Sequence, residues 1–199
     1  GSNTAWTWEH QALTRARWCA GWQPLAPRFD AVRTAVLCAP RDPAALRDEI
    51  VAMREKVRQA HPVRGARFDV KHSAGGMMDV EFAAQYLQLA FGHAHPALRT
   101  TGTAPALAAA RALDLAPEGD AALLAEGYRF LRRLEHRLRV VHDQPIHRLP
   151  EARDELDKLA RRSGFPDGGV LSDHLARWQR DIRAAYLRVL AAAPAGPER

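Results

Sequence analysis

Three segments of this chain combine residue types at spacings that could carry chemistry. The first is Phe68 to Phe82, FDVKHSAGGMMDVEF. A short extended piece bearing Lys71 runs into Gly75-Gly76, and a helix begins there with Asp79 and Glu81 at its start. Backbone N–H groups after such a turn can hold an anion, with a lysine close by. The same residues also read as a tight turn followed by acids that suit the positive end of a helix dipole. Each helical residue advances about 100°, so Asp79 and Glu81 point roughly 200° apart and cannot both grip one ion. This spacing favours a structural joint, with one acid capping backbone N–H groups or pairing with an arginine.

The second segment is WTWEHQALTRAR, from Trp6 to Arg17. Read as a strand over residues 12–20, it puts Arg15 and Arg17 on one face, with Glu9 upstream. An acid and two arginines so placed could hold a metal–triphosphate, the acid on the metal and the arginines on phosphate. An exposed edge strand with solvated arginines, or a helical reading, fits the same letters. The third segment, YRFLRRLEHRLR from Tyr128, presents a basic face that could meet an acidic partner, or be a solvated face with Glu135 and Arg139 paired.

Familiar catalytic patterns are missing. The chain has no P-loop, no G-x-G-x-x-G, no H-E-x-x-H and no G-x-S-x-G. His93 and His95 read as a helix end. His136 and His142 are six apart and do not face one ligand. Cys19 and Cys38 cannot build a disulfide framework or a zinc site, which fits a reducing cytoplasm.

The elements that must position these segments are mainly helical. Asp42-Pro43 opens a helix over residues 43–60, with Leu46, Ile50, Met53 and Val57 inward, and His61-Pro62 ends it. A second helix covers 76–93 with Met78, Phe82, Tyr86, Leu89 and His93 on one stripe. A short one comes next at about 105–114. Residues 119–143 are expected to form the longest helix, with Pro145 and Pro150 closing it. Pro150 opens another to about Arg162, and a last one runs from about Leu171 to Leu190. The tail AAAPAGPER reads as frayed, and Gly1-Ser2 as a tag scar.

Composition bounds the alternatives. Hydrophobic residues are 47% and charged residues 26% of 199, which excludes global disorder. No apolar run reaches the ~20 residues of a membrane helix. Lys+Arg exceed Asp+Glu by 29 to 23, giving a net charge of +6. Acids are interleaved with the arginines along most of the chain, so this excess points only weakly to nucleic acid, and none is expected as a partner. The tryptophans cluster away from the arginine-rich segment, leaving no stacking platform for single strands.

In order, AWTWEHQALTRAR, MREK at 53–56, FDVKHSAGGMMDVEFAAQYLQL and YRFLRRLEHRLRVVHDQPIHRLP resemble glutamine synthetase adenylyltransferase, the adenylylating and adenylyl-removing enzyme of nitrogen control. The resemblance spans about residues 5 to 150. It implies tandem nucleotidyltransferase domains, each followed by a helical bundle, using Mg2+ and ATP. One half transfers AMP to a tyrosine of glutamine synthetase and the other removes it by phosphorolysis. The opening segment resembles the transferase half, whereas RFLRRLEHRL is closer to the bundle that comes after the removing half.

The chain departs from that pattern in lacking an Asp-x-Asp dyad after a Gly-Ser loop. Asp79-x-Glu81 is not that dyad. The resemblance therefore implies a C-terminal fragment: residues 1–22 as scar and last strand of a nucleotidyltransferase domain, 23–193 as the helical bundle, 194–199 as tail. Glu9 takes the place of the family's third catalytic acid and would touch metal only with the upstream dyad present. Arg15 and Arg17 would meet phosphate. Lys71, Gly75, Gly76, Asp79 and Glu81 would form an interdomain joint, one acid facing the catalytic domain. The fragment alone is expected to be inactive and to bind no cofactor. Glutamine synthetase is the implied partner, and the PII signal protein a further one. The competing reading is a non-enzymatic helical module that binds a nitrogen-signalling protein.

Overall fold

The computed structural model describes residues 6–62, 68–142 and 147–192. It is an α-helical bundle. In chain order the helices are α1 (Thr7–Arg15), α2 (Leu25–Leu37), α3 (Pro43–Ala60), α4 (Met77–Phe91), α5 (Thr103–Ala112), α6 (Asp120–His142), α7 (Arg153–Arg162) and α8 (Gly168–Ala191). The mainly α fold class is borne out. The expected scar, the tail from 193 onward and Pro145 lie outside the described residues.

Helix α4 is the axis of the molecule. Twelve of its residues are buried, including the unbroken run from Phe82 to Ala90. A helix that is apolar nearly all round must be enclosed, and α1, α3, α5, α6 and α8 pack about it. Val80, Ala83, Leu87 and Leu89 are fully or almost fully shielded. The stripe predicted for this segment holds from Met78 to Leu89, but His93 falls beyond the helix end at Phe91.

Helix α3 matches its expected bounds. Asp42 caps it by accepting the Ala44 N–H at 3.0 Å, with Pro43 in the first turn. Helix α6 buries Leu124, Leu131, Leu134 and Leu138 against α5 and α8. It has 23 residues, with Asp143, the last one expected in it, outside the described residues, and α8 has 24, so α8 is the longest helix among the described residues. The reason lies in Asp167, whose side chain accepts the Val170 N–H and starts α8 at Gly168, ahead of the first apolar residue of its stripe.

The strand expected over 12–20 is not formed. Thr7–Arg15 is helical, and the only β pairing among the described residues is an isolated antiparallel bridge between Asp69 and Arg148. The inward face of α1 is polar, which hides its period from a hydrophobicity reading. His10, Gln11 and Thr14 are its buried residues, and Gln11 Nε2 donates to Gln85 Oε1 of α4 at 2.9 Å. No element was expected over Leu25–Leu37. Its anchor is the buried Arg33, whose guanidinium donates to the carbonyls of Leu13, Thr14, Arg99 and Thr100.

Candidate functional site: the Gly-Gly joint

The joint is built from the turn before α4. Asp69 winds it. Its Oδ1 accepts the N–H groups of Lys71 (2.9 Å) and His72 (2.8 Å), while its own N–H donates to Ser73 Oγ at 3.0 Å. Burial alone would push the Asp69 carboxyl up, yet the bonds from His72 and Lys71 hold it below its ordinary value. Val70 N–H donates to the His147 carbonyl at 2.8 Å, and Leu149 N–H to that of Phe68 at 3.2 Å. These two bonds fasten the turn to the chain leaving α6.

Gly75 is the residue that requires glycine. Its φ is +74°, and a Cβ there would lie 2.0 Å from the carbonyl oxygen of Gln179 in α8. The turn thus rests directly on the α8 backbone. Gly76 has an ordinary φ of −89°, but its Cβ would crowd the carbonyls of Ser73, Lys71 and Val70 at 2.9–3.0 Å. Lys71 contributes its backbone, and its side chain is half-buried without a carboxylate partner among the described residues.

Asp79 lies at the centre, fully buried. One carboxylate oxygen accepts from Arg54 Nε at 2.6 Å. The other accepts the Gly75 N–H at 2.7 Å and faces Arg183 Nη1 at 3.2 Å. It therefore caps the turn and pairs with arginine at once, the first of the roles expected for the two acids. Arg54, also buried, reaches from α3 and donates through Nη2 to the carbonyls of His72 and Ser73. The guanidinium carbon of Arg183 stands 5.0 Å from the centre of the Tyr186 ring. Burial pushes the Tyr186 hydroxyl up to about 12, with the Asp79 charge adding to it. Four elements, α3, α4, α8 and the turn, meet at one carboxylate.

Glu81 faces another way, as the helical geometry requires, but it does not face open space. Arg15 Nη1 of α1 lies 2.8 Å from its Oε2, and the Tyr128 hydroxyl of α6 donates to its Oε1 at 2.9 Å. Burial, then the Glu81 charge, raises the Tyr128 hydroxyl. The second acid thus fastens α1 to the bundle.

The second segment places its three residues separately. Glu9 accepts the Trp6 N–H at 2.7 Å and so caps α1. On a helix, Glu9 and Arg15 stand about 240° apart. Arg15 is spent on Glu81, and exposed Arg17 lies past the helix end at Ala16. In the third segment, Glu135 pairs with Arg132 at 2.7 Å and approaches His147 at 3.0 Å, not Arg139 as the i,i+4 spacing suggests. Buried Glu135 thus keeps a local partner, three residues before it rather than four after it, and His147 stands beside its other oxygen from beyond the helix.

A magnesium–nucleotide group does not fit the acids named here. Asp79 already accepts from two arginines and a backbone N–H, Glu81 from Arg15 and Tyr128, and Glu9 from its own helix start. Among the described residues no group of three His, Cys, Asp or Glu could hold a metal ion.

Two residues of the joint escape a reading of the sequence. Arg54 sits four after Ile50 and eight after Leu46, both buried, so it is an arginine on the inward row of α3. That position alone signals a buried acidic partner. Asp69 shows no such signal, since its role is to bind backbone N–H groups two and three residues on.

The fold and site together define an all-α bundle organised on a buried acid–arginine joint. The family model described as GlnD PII-uridylyltransferase matches residues 47–190, and the chain belongs to that family. It is 49% identical over 140 residues to the bifunctional glutamine synthetase adenylyltransferase/adenylyl-removing enzyme of Burkholderia mallei, covering 70% of this chain and 15% of that protein. To the protein of the same name from Nitrosomonas europaea it is 42% identical over 186 residues, covering 93% of this chain and 19% of the other. The resemblance drawn from the motifs is thereby borne out. The chain spans less than a fifth of the length of these relatives.

Proposed function

We propose that this chain is the helical, non-catalytic part of a larger enzyme that transfers AMP from ATP to a tyrosine of glutamine synthetase and removes it by phosphorolysis. Its role is to hold α1, and whatever α1 is joined to, against a rigid bundle. The observation that carries this reading is the state of the motif acids: Asp79, Glu81 and Glu9 are all engaged in bonds that build the fold. Asp79 and Glu81 are thereby closed to metal-assisted transfer, which needs open acids around the reacting phosphate, and Glu9 by itself is one acid where several are needed. The metal and ATP would be held by acids upstream of this segment, in the cytoplasm, in the transferase half. Glutamine synthetase is the substrate partner, and PII the signal protein.

The test is direct. The purified chain is incubated with glutamine synthetase, Mg2+ and α-labelled ATP. Labelled synthetase at the level of a no-chain control is the expected result. Label above that control overturns the reading.

A further inference from the structure

The second half of α6 carries positive charge that is mostly unpaired among the described residues. From Gly127 to His142 it holds five arginines and a single acid, Glu135. Arg129, Arg132, Arg133 and Arg139 are exposed. Along an ideal helix they fall within about 120° of one another, in a row about 15 Å long. Arg132 reaches Glu135, but Arg129, Arg133 and Arg139 meet no carboxylate among the described residues.

Elsewhere several surface cations do have acid partners. Arg47 pairs with Asp48, Arg58 with Glu55, Lys158 with Glu155 and Arg188 with Asp120. Like charges three or four apart on a helix destabilise it. Arg28 on α2 and Arg111 on α5 are also exposed without a carboxylate partner among the described residues, but each is alone on its helix, whereas α6 gathers three such arginines on one face.

Two features indicate the kind of surface that would cover it. Arginine presents a planar fork that matches carboxylates two bonds at a time. Val140, 69% exposed, stands within the same row. An apolar side chain among arginines matches the make-up of a protein interface, and a phosphate backbone gives it nothing to pack on. We propose that the Arg129–Arg139 row of α6 is a docking edge for an acidic helix of a partner protein, its carboxylates repeating every three or four residues to match the arginines and an apolar residue set against Val140. The proposal does not depend on the transferase reading, since it concerns binding alone.

The probe is a fluorescein-labelled helical peptide of Glu-Ala-Ala-Leu repeats, followed by anisotropy at moderate ionic strength. Arg129→Glu/Arg133→Glu/Arg139→Glu is compared with Arg28→Glu/Arg111→Glu/Arg180→Glu, which changes net charge equally from exposed positions elsewhere. The expected result is at least tenfold weaker binding in the first variant and less than threefold in the second. Equal weakening in both, or no binding by the unmodified chain, overturns the proposal. So does tighter binding of a labelled DNA duplex that the first variant abolishes, because the row would then be a nucleic-acid surface. Arg129→Gln/Arg133→Gln/Arg139→Gln guards against misfolding: relieved of repulsion, it should melt no lower than the unmodified chain and still bind the peptide at least tenfold more weakly. Unweakened binding by this variant also overturns the proposal.

Discussion

Gly75→Ala tests the joint most sharply, because two costs can be separated there. The first is the backbone. At φ +74° a residue with a Cβ loses about 1–2 kcal/mol. Gly164 supplies the reference, since its φ is +82° and a Cβ there would meet nothing within 4 Å. Gly164→Ala should therefore cost that backbone penalty alone. The second cost is contact. At Gly75 the new carbon would sit 2.0 Å from the Gln179 carbonyl oxygen, so either α8 or the turn must move. Moving the turn lengthens the 2.7 Å bond from the Gly75 N–H to Asp79. A hydrogen bond to a charged group is worth about 1.5–3 kcal/mol. Gly75→Ala should then lose about 3–5 kcal/mol, before any loosening of α8. For a chain of this size that is a fall in Tm of about 6–20 °C. Gly76→Ala, with an ordinary φ and only tight carbonyl contacts, should cost about 1–3 kcal/mol. Urea denaturation of the three variants beside the unmodified chain gives the ranking. If the midpoints of Gly75→Ala and Gly164→Ala coincide, the turn does not rest on α8 and the reasoning fails.

Asp79→Asn should destabilise the fold by about 3–5 kcal/mol, because it leaves Arg54 buried opposite a neutral partner; a urea midpoint within error of the unmodified chain would contradict the account of the joint. Tyr186 contributes to the alkaline edge of stability, as do the raised hydroxyls of Tyr86 and Tyr128. Its folded value of about 12 lies above the ordinary value of about 10. The stabilisation is therefore whole below pH 10 and is lost as pH rises toward 12, where the unfolded chain releases the proton first. Tyr186→Phe should flatten that loss, measured by urea midpoints between pH 9 and 11.5. At pH 7 it should leave stability unchanged or slightly raised, since the buried hydroxyl has no partner among the described residues.

The sequence by itself determined the helical character, most helix positions and the place of the joint. Periodic apolar residues must be buried on one side, and Asp42-Pro43 and Gly75-Gly76 mark boundaries through backbone geometry that acts locally. It also determined that Asp79 and Glu81 point apart, since helical advance alone requires it. The tertiary structure decided which partners each one meets. Arg54 and Arg183 reach Asp79 from 25 positions before it and 104 after it, and Arg15 and Tyr128 reach Glu81 from α1 and α6. No local rule pairs residues so far apart. The structure likewise turned 7–15 into a helix, because its inward face is His10, Gln11 and Thr14, polar residues that only a polar partner such as Gln85 makes worth burying. And it separated the two glycines. Both look alike as letters, but only Gly75 takes a positive φ and lies against the backbone of another helix, a contact that exists only once α8 has packed.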